Sequence, residues 1–119
     1  ESPGFFKKLI GEKPTYYIVE SKATAVVITG TPTVGLLRKT TTGERQMSQE
    51  WLGKSNGKRI LDAVGAKGQS DIEKAIVDGR VKKVLALTDK NGTRYFEIND
   101  VAGNPGEVTI GADVTNFFK

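Results

Sequence analysis

Hydrophobic and polar residues follow patterns that divide the chain into strands, helices and loops. The run 16–22 combines aromatic and β-branched residues and predicts the first strand, which the apolar positions up to 28 could prolong. Residues 5–10 are apolar at a spacing that fits either a short helix or an opening strand. The Thr- and Gly-rich stretch 30–43 has no clear period, so we expect a loop there.

Three helices are predicted in the middle of the chain. The first covers about 44–52 and the second about 56–64, because apolar residues recur there every three or four positions. The third begins with a capping-box pattern at Ser70, in which a serine is followed three positions later by a glutamate. It ends at Gly79, since glycine readily adopts the left-handed conformation that closes a helix.

The last third of the chain has the pattern of β-structure. The run 81–88 is apolar enough to be buried on both faces, and 93–98 predicts a returning strand. Asn91-Gly92 lies between them and favours a type I′ turn, so we expect a hairpin. The other predicted elements are a loop at 103–106, a short edge strand at 108–110 and an amphipathic tail at 114–118.

This order of elements predicts one α/β domain over residues 1–119, with a mixed central sheet flanked by helices and a C-terminal β-hairpin. A chain of 119 residues can bury one core but not two. We expect no membrane-spanning segment, since the apolar run near the N-terminus is too short for one. Because the sequence begins Glu1-Ser2 without an initiator Met, we expect a module of a longer precursor or a domain cloned from one.

Composition excludes several kinds of chemistry. The chain contains neither cysteine nor histidine, so disulfides, thiolate or imidazole zinc sites and histidine-based catalysis are excluded. Any bound metal must therefore have oxygen ligands, which favours Mg²⁺ or Mn²⁺. A net charge of +4 favours a polyanionic partner without requiring one. The pattern GxxxxGK and the pattern GxGxxG are both missing, so nothing supports nucleotide hydrolysis or dinucleotide chemistry.

The first strand carries the candidate chemistry. Glu20 and Lys22 are two residues apart at its end, so their side chains emerge on the same face. A metal-dependent phosphodiesterase needs a carboxylate that binds a divalent cation. Next to it, it needs an ammonium that orients water or stabilises a phosphate. A surface ion pair on an edge strand would have the same sequence.

The segment after this strand adds a second motif. Gln46-Met47-Ser48 is followed by Trp51, and we predict that Met47 and Trp51 pack in the core. A strand that ends in Val-Glu-x-Lys, followed by this motif, resembles the restriction-endonuclease-like PD-(D/E)xK nuclease domains. Such domains occur at the C-termini of bacterial polymorphic toxins, including contact-dependent growth inhibition toxins. The resemblance covers roughly residues 15–64.

The resemblance implies roles for individual residues. Glu20 would be a metal ligand and Lys22 the catalytic cation, and Gln46 would assist from the start of the next helix. The family pattern also needs an acidic residue upstream of Glu20, and this chain departs from it. Glu12 could fill the position only if its turn folds back over the site, and the missing ligand could also lie upstream of Glu1.

The resemblance also implies a biological setting. We expect a metal-dependent endonuclease that cleaves target-cell nucleic acid, with DNA slightly favoured over tRNA. We also expect secreted or cell-surface delivery as part of a larger toxin, action in the target-cell cytoplasm, and a cognate immunity protein that could dock on the hairpin 84–98. The alternative is a non-catalytic α/β module that binds nucleic acid or protein.

Basic residues divide into two groups along the chain. One group surrounds the proposed site and could follow a phosphate backbone: Lys7, Lys8, Arg38, Lys39, Arg45, Lys54, Lys58 and Arg59. The other group is predicted to be mostly solvated surface or edge protection: Lys82, Lys83, Lys90 and Arg94.

Overall fold

A single mixed sheet organises the molecule. The computed structural model describes the backbone of residues 4–10 and all atoms of residues 13–118. Within these residues the strands are β1 (Gly4–Ile10), β2 (Lys13–Ala23), β3 (Val81–Asp89), β4 (Gly92–Val101) and β5 (Asn104–Asp113), and the helices are α1 (Gln49–Val77) and α2 (Thr115–Phe118). The strands are hydrogen-bonded in the order β1-β2-β3-β4-β5. The predicted mixed α/β class is confirmed.

Strand β2 lies inside the sheet and has neighbours of opposite direction. It pairs antiparallel with β1 and parallel with β3. Parallel neighbours need a long connection, which the loop after β2 and α1 provide. In this register Glu20 is level with Leu85 and Lys22 with Leu87.

Strands β3 and β4 are antiparallel, with Asp89 opposite Gly92. The turn residues Lys90 and Asn91 have negative φ, whereas Gly92 has a φ of 118°. The predicted type I′ turn is therefore wrong, because that turn needs positive φ at both central residues. Instead, the Asp89 carboxylate accepts a hydrogen bond from the Asn91 backbone N–H at 2.8 Å and stabilises the turn locally.

Strand β5 is longer than the predicted edge strand, since it begins at Asn104 and includes Pro105. The predicted loop 103–106 is thus mostly strand, and proline is tolerated because β5 lies at the edge of the sheet. Strands β3 and β4 each have a strand on both sides. The hairpin 84–98 therefore does not offer the free edge that we expected for a docking partner.

Helix α1 consists of three helical segments, 49–53, 58–64 and 66–77. Residues 54–57 interrupt it: Ser55, Asn56 and Gly57 have φ values of 56°, 57° and 73°. The second interruption is Gly65, at φ 77°. The first segment begins at Gln49 rather than near 44, because the Ser48 hydroxyl accepts a hydrogen bond from the Trp51 N–H at 3.2 Å and serves as the N-cap.

The third segment of α1 begins directly after Gly65. Ser70 therefore lies inside the helix, and the predicted capping box there is wrong. The predicted end is confirmed: Gly79 has a φ of 71°, and its N–H bonds to the Ile76 carbonyl at 3.1 Å. The Arg80 N–H bonds to the Ala75 carbonyl at 2.7 Å, which completes a Schellman cap.

The two faces of the sheet are covered differently. On one face, here called the helix-side face, α1 and the loop before it bury Ile18, Leu85 and Phe96. On the other face, α2 covers Tyr17 and Val84, mainly through aromatic contacts of Phe118. No helix in the described part of the chain is both long and apolar enough to cross a bilayer.

Candidate active site

Glu20 and Lys22 both project from the helix-side face of β2, two and four residues after Ile18. Glu20 is 2% exposed and Lys22 is half-buried. Their row neighbours on β3, Leu85 and Leu87, are almost fully buried as well. A carboxylate is seldom placed on an interior strand among leucines, because burying the charge is costly, and such a position is a candidate for function.

The acidic residue that the family pattern needs would come from the chain before Glu20, where the acidic residues are Glu1 and Glu12. Glu12 lies outside the described residues. The described part of β1 begins at Gly4, opposite Val19, and so stops before the level of Glu20. Among the side chains that the structure describes, no group of three or more acidic residues could hold a metal ion.

Gln46 does not begin the helix, because α1 starts three residues later. Its backbone N–H donates to the Arg38 carbonyl at 2.9 Å, and its side-chain oxygen accepts from the Arg38 N–H at 3.1 Å. The amide thus binds the neighbouring backbone rather than Lys22 in this structure. Met47 and Trp51 are 0% and 3% exposed and belong to one core cluster, so their predicted packing role is confirmed. Met47 precedes the N-cap, however, and is not on the helix.

Residues 24–36, here called the strap, run back over the helix-side face after β2 ends. Ile28, Val34 and Leu36 pack against the core of that face. Two side chains, those of Asp89 and Arg94, fix the strap near Ile28. The Ile28 N–H donates to the Asp89 carboxylate at 3.2 Å, and the Arg94 guanidinium donates to the Ile28 carbonyl and, at 2.9 Å, to the Gly30 carbonyl.

Arg94 lies in the same row of the sheet as Lys22, since both are in register with Leu87 on the strand between them. Its guanidinium carbon is 5.2 Å from the centre of the Phe96 ring. The prediction that Arg94 is solvated surface is therefore wrong. Its alternation with Phe96 along β4 was the available signal, because it placed Arg94 on the buried face.

Glu44 is a second buried carboxylate, also 2% exposed, in the loop before α1. It accepts hydrogen bonds from the Lys54 ammonium and the Thr42 hydroxyl, each at 2.6 Å. The bond to Lys54, followed by that to Thr42, lowers the pKa of Glu44 to about 2. The group therefore stays charged and connects the loop to the first interruption of α1.

A second ion pair fixes the same loop to the edge of the sheet. The Arg45 Nε is 2.5 Å from a Glu107 oxygen, its Nη2 is 3.3 Å from the other, and its backbone N–H donates to the Gly106 carbonyl at 2.8 Å. Arg45, with a smaller contribution from Lys39, lowers the pKa of Glu107 to about 2. Two predicted phosphate contacts, Arg45 and Lys54, are thus engaged by carboxylates.

A third polar cluster lies at the other end of the helix-side face. Lys83, whose side chain is 9% exposed, forms an ion pair with Asp100 and donates to the Met47 carbonyl at 2.7 Å. Gln49 donates to the same carboxylate at 3.1 Å. These residues border a groove of about 750 Å³ between α1 and the sheet. The predicted surface role of Lys83 is wrong, because its long side chain reaches back to the start of α1.

Comparison with known proteins does not assign a family. No protein-family model matches the chain, and no curated protein or solved structure matches it significantly.

Proposed function

We propose that this chain is a metal-dependent nuclease that hydrolyses phosphodiester bonds in nucleic acid. The observation that carries the proposal is the placement of Glu20 and Lys22 in adjacent same-face positions of an interior strand, with the carboxylate 2% exposed. An interior strand holds both groups rigidly, which a reaction that depends on positioning requires. A solvated surface pair would not need this location.

In this proposal each residue has one task. Glu20 would bind Mg²⁺ or Mn²⁺, and Glu12 would be a further ligand, with water and phosphate oxygens completing the shell. The ion would supply Lewis-acid activation of the phosphate and of a bound water. Lys22 would place its ammonium against the phosphate and stabilise the charge that develops there. Gln46 would orient the phosphate or Lys22 once its amide leaves the Arg38 backbone.

The strand arrangement supports our proposal that the fold is restriction-endonuclease-like. An interior strand that carries Glu-x-Lys, with an antiparallel strand on one side and a parallel one beyond a helical crossover, suits a restriction-endonuclease-like core. With it we propose the role that this likeness implies: the toxic domain of an interbacterial competition system, delivered as part of a larger secreted or cell-surface toxin. It would act in the target-cell cytoplasm and be neutralised in its producer by an immunity protein.

One observation favours a second candidate function. The Glu20 carboxylate lies on a face that α1 and the loop before it cover, which also suits a structural charge in a non-catalytic module that binds nucleic acid or protein. The two candidates differ in what removal of that charge does. It abolishes turnover in the first and leaves every binding activity intact in the second.

The test is a cleavage assay of the whole chain on plasmid DNA and on total tRNA, with Mg²⁺, with Mn²⁺ and with EDTA. We expect metal-dependent cleavage of one substrate, with a small preference for DNA. Glu20→Gln and Lys22→Ala should each reduce cleavage by about a hundredfold or more. Cleavage that persists in EDTA, or that survives both substitutions, contradicts the proposal.

Matched controls separate chemistry from folding. Glu97→Gln and Lys82→Ala change an acid and a lysine on neighbouring strands, at positions on the opposite face. We expect both to cleave like the parent chain. If no variant and no parent cleaves either substrate, while the folded parent still binds nucleic acid, the second candidate is favoured.

A further inference from the structure

The strap raises a question about access to Glu20. It crosses the helix-side face at the row formed by Lys22, Leu87 and Arg94, and the carboxylate one row further in is 2% exposed. A phosphodiester cannot reach a carboxylate with so little exposed surface. If Glu20 acts on nucleic acid, part of this cover must move.

The strap is held to the sheet by few contacts. Ile28, Val34 and Leu36 are only partly buried against the core, Pro32 is the one fully buried residue of the strap, and Val26 is 70% exposed. Beyond Thr24, its hydrogen bonds to the sheet come from two residues, Asp89 and Arg94, which bind the N–H and the carbonyl of Ile28. Segments with few buried contacts open at low free energy.

We infer that the strap is a cover clasped by Asp89 and Arg94, and that Arg94 exchanges its bonds to the strap carbonyls for a substrate phosphate when the strap opens. The inference rests on the proposed function, since it concerns access to the same site. Arg94 suits the exchange because a guanidinium offers paired donors to carbonyl oxygens and to phosphate oxygens alike. Its place in the row of Lys22 would bring it to the same phosphate.

Two substitutions separate the clasp from the phosphate contact. Asp89→Ala removes the acceptor of the Ile28 N–H and leaves Arg94 in place. Arg94→Ala removes the other half of the clasp and, with it, the proposed phosphate donor. We expect hydrogen–deuterium exchange in peptides covering 24–36 to become about tenfold faster in each, since the open fraction rises when a clasp is lost.

Cleavage should respond in opposite directions. Asp89→Ala should cleave nucleic acid several-fold faster than the parent, because more molecules are open. Arg94→Ala should cleave more slowly than the parent even though its strap is open. Arg94→Lys, which retains a cation but cannot bridge two carbonyls as a guanidinium does, should open the strap and cleave faster than Arg94→Ala.

Asp78 and Arg80 provide the matched control. They also pair an aspartate with an arginine that donates to a backbone carbonyl, that of Pro14 at 2.6 Å, but they lie at the other end of the sheet. Asp78→Ala and Arg80→Ala should change neither strap exchange nor cleavage. Because Asp89 also supports the turn after β3, Asp89→Asn serves as a milder variant if Asp89→Ala does not fold.

The outcomes are distinguishable. Unchanged strap exchange in folded Asp89 and Arg94 variants overturns the clasp. Faster exchange with unchanged cleavage in Asp89→Ala overturns the role of the strap as a barrier, and faster cleavage in Arg94→Ala overturns the phosphate role. Faster exchange without cleavage by any chain, the parent included, supports the clasp and contradicts the nuclease.

Discussion

Glu20 and Glu44 are both 2% exposed, and each has a lysine close by in sequence or space, yet they belong to regions of different character. Glu44 lies in a loop, where Lys54 and Thr42 bind it and keep its pKa low. Glu20 lies on an interior strand in register with Leu85. Burial alone therefore does not identify a functional acid. A functional acid is better indicated by its position on a rigid interior strand, where an apolar residue such as leucine would be expected.

The largest expected difference between the two regions is in cleavage. Glu20→Gln keeps the shape of the side chain and removes its charge, so we expect a loss of about a hundredfold or more in nuclease rate. Glu44→Gln should cleave like the parent, because its partners lie within the loop and α1. The measurement is initial rate on plasmid and tRNA with Mg²⁺, with circular dichroism to establish folding. Equal losses of cleavage rate in both variants would contradict a catalytic role that belongs to Glu20 and not to Glu44.

The second difference is in acid stability. Glu44 has an ordinary pKa of 4.5 when unfolded and about 2 when folded, so its stabilising contribution is complete above about pH 4.5. That contribution is lost as the pH falls toward 2, because the folded carboxylate is then protonated. We expect Glu44→Gln to be less stable than the parent at pH 7 and to differ little from it near pH 2.

Thermal unfolding between pH 7 and pH 2 measures this effect. Glu107→Gln is the control, because Glu107 has the same lowered pKa of about 2 but fixes the other side of the loop. Each single variant should still lose stability at low pH, because the other glutamate is still protonated there. If Glu44→Gln lost as much stability as the parent between pH 7 and pH 2, Glu44 would not have the lowered pKa in the folded state.

The smallest effect concerns the first interruption of α1, to which Glu44 is joined through Lys54. Gln69 donates hydrogen bonds to the Asn56 and Gly57 carbonyls at 2.8 and 3.2 Å, so Gln69→Ala should cost about 1 kcal/mol. Gly57→Ala should cost about 1–2 kcal/mol, because φ is 73° there. Neither should alter the cleavage rate per folded molecule.

The double variant tests the coupling of these two residues. A side chain at position 57 would place its Cβ 2.8 Å from the Gln69 Nε2, and shortening Gln69 removes that clash. The combined loss in urea-induced unfolding should therefore be smaller than the sum of the single losses. Additive losses would show that the strain at Gly57 comes from its backbone alone.

Local sequence signals predicted much of the fold. Continuous apolar residues at Val84 to Leu87 identified a strand buried on both faces, and Gly79 identified the end of α1, because both depend on neighbouring residues only. The start of the first helix could not be placed, since Ser48 competes with several other possible caps nearby. The capping-box prediction at Ser70 failed because the helix continues back to Gly65, and a pattern cannot reveal that a longer helix contains it.

The candidate site was predictable only in part. Strand periodicity placed Glu20 and Lys22 on one face, but it could not show that α1 and the loop before it cover that face. Arg94 and Lys83 both donate hydrogen bonds to backbone carbonyls, those of Ile28, Gly30 and Met47. Carbonyls exist at every residue and leave no mark in a sequence, so contacts of this kind appear only in three dimensions.

The single tryptophan of the chain has a practical value. Trp51 is 3% exposed, and the Arg59 guanidinium lies 4.2 Å from its ring centre, just before the first interruption of α1. Indole emission shifts to longer wavelength when water reaches the ring. The unlabelled protein thus carries a built-in optical reporter of the joint between its first helical turns and the sheet, readable in any stopped-flow instrument.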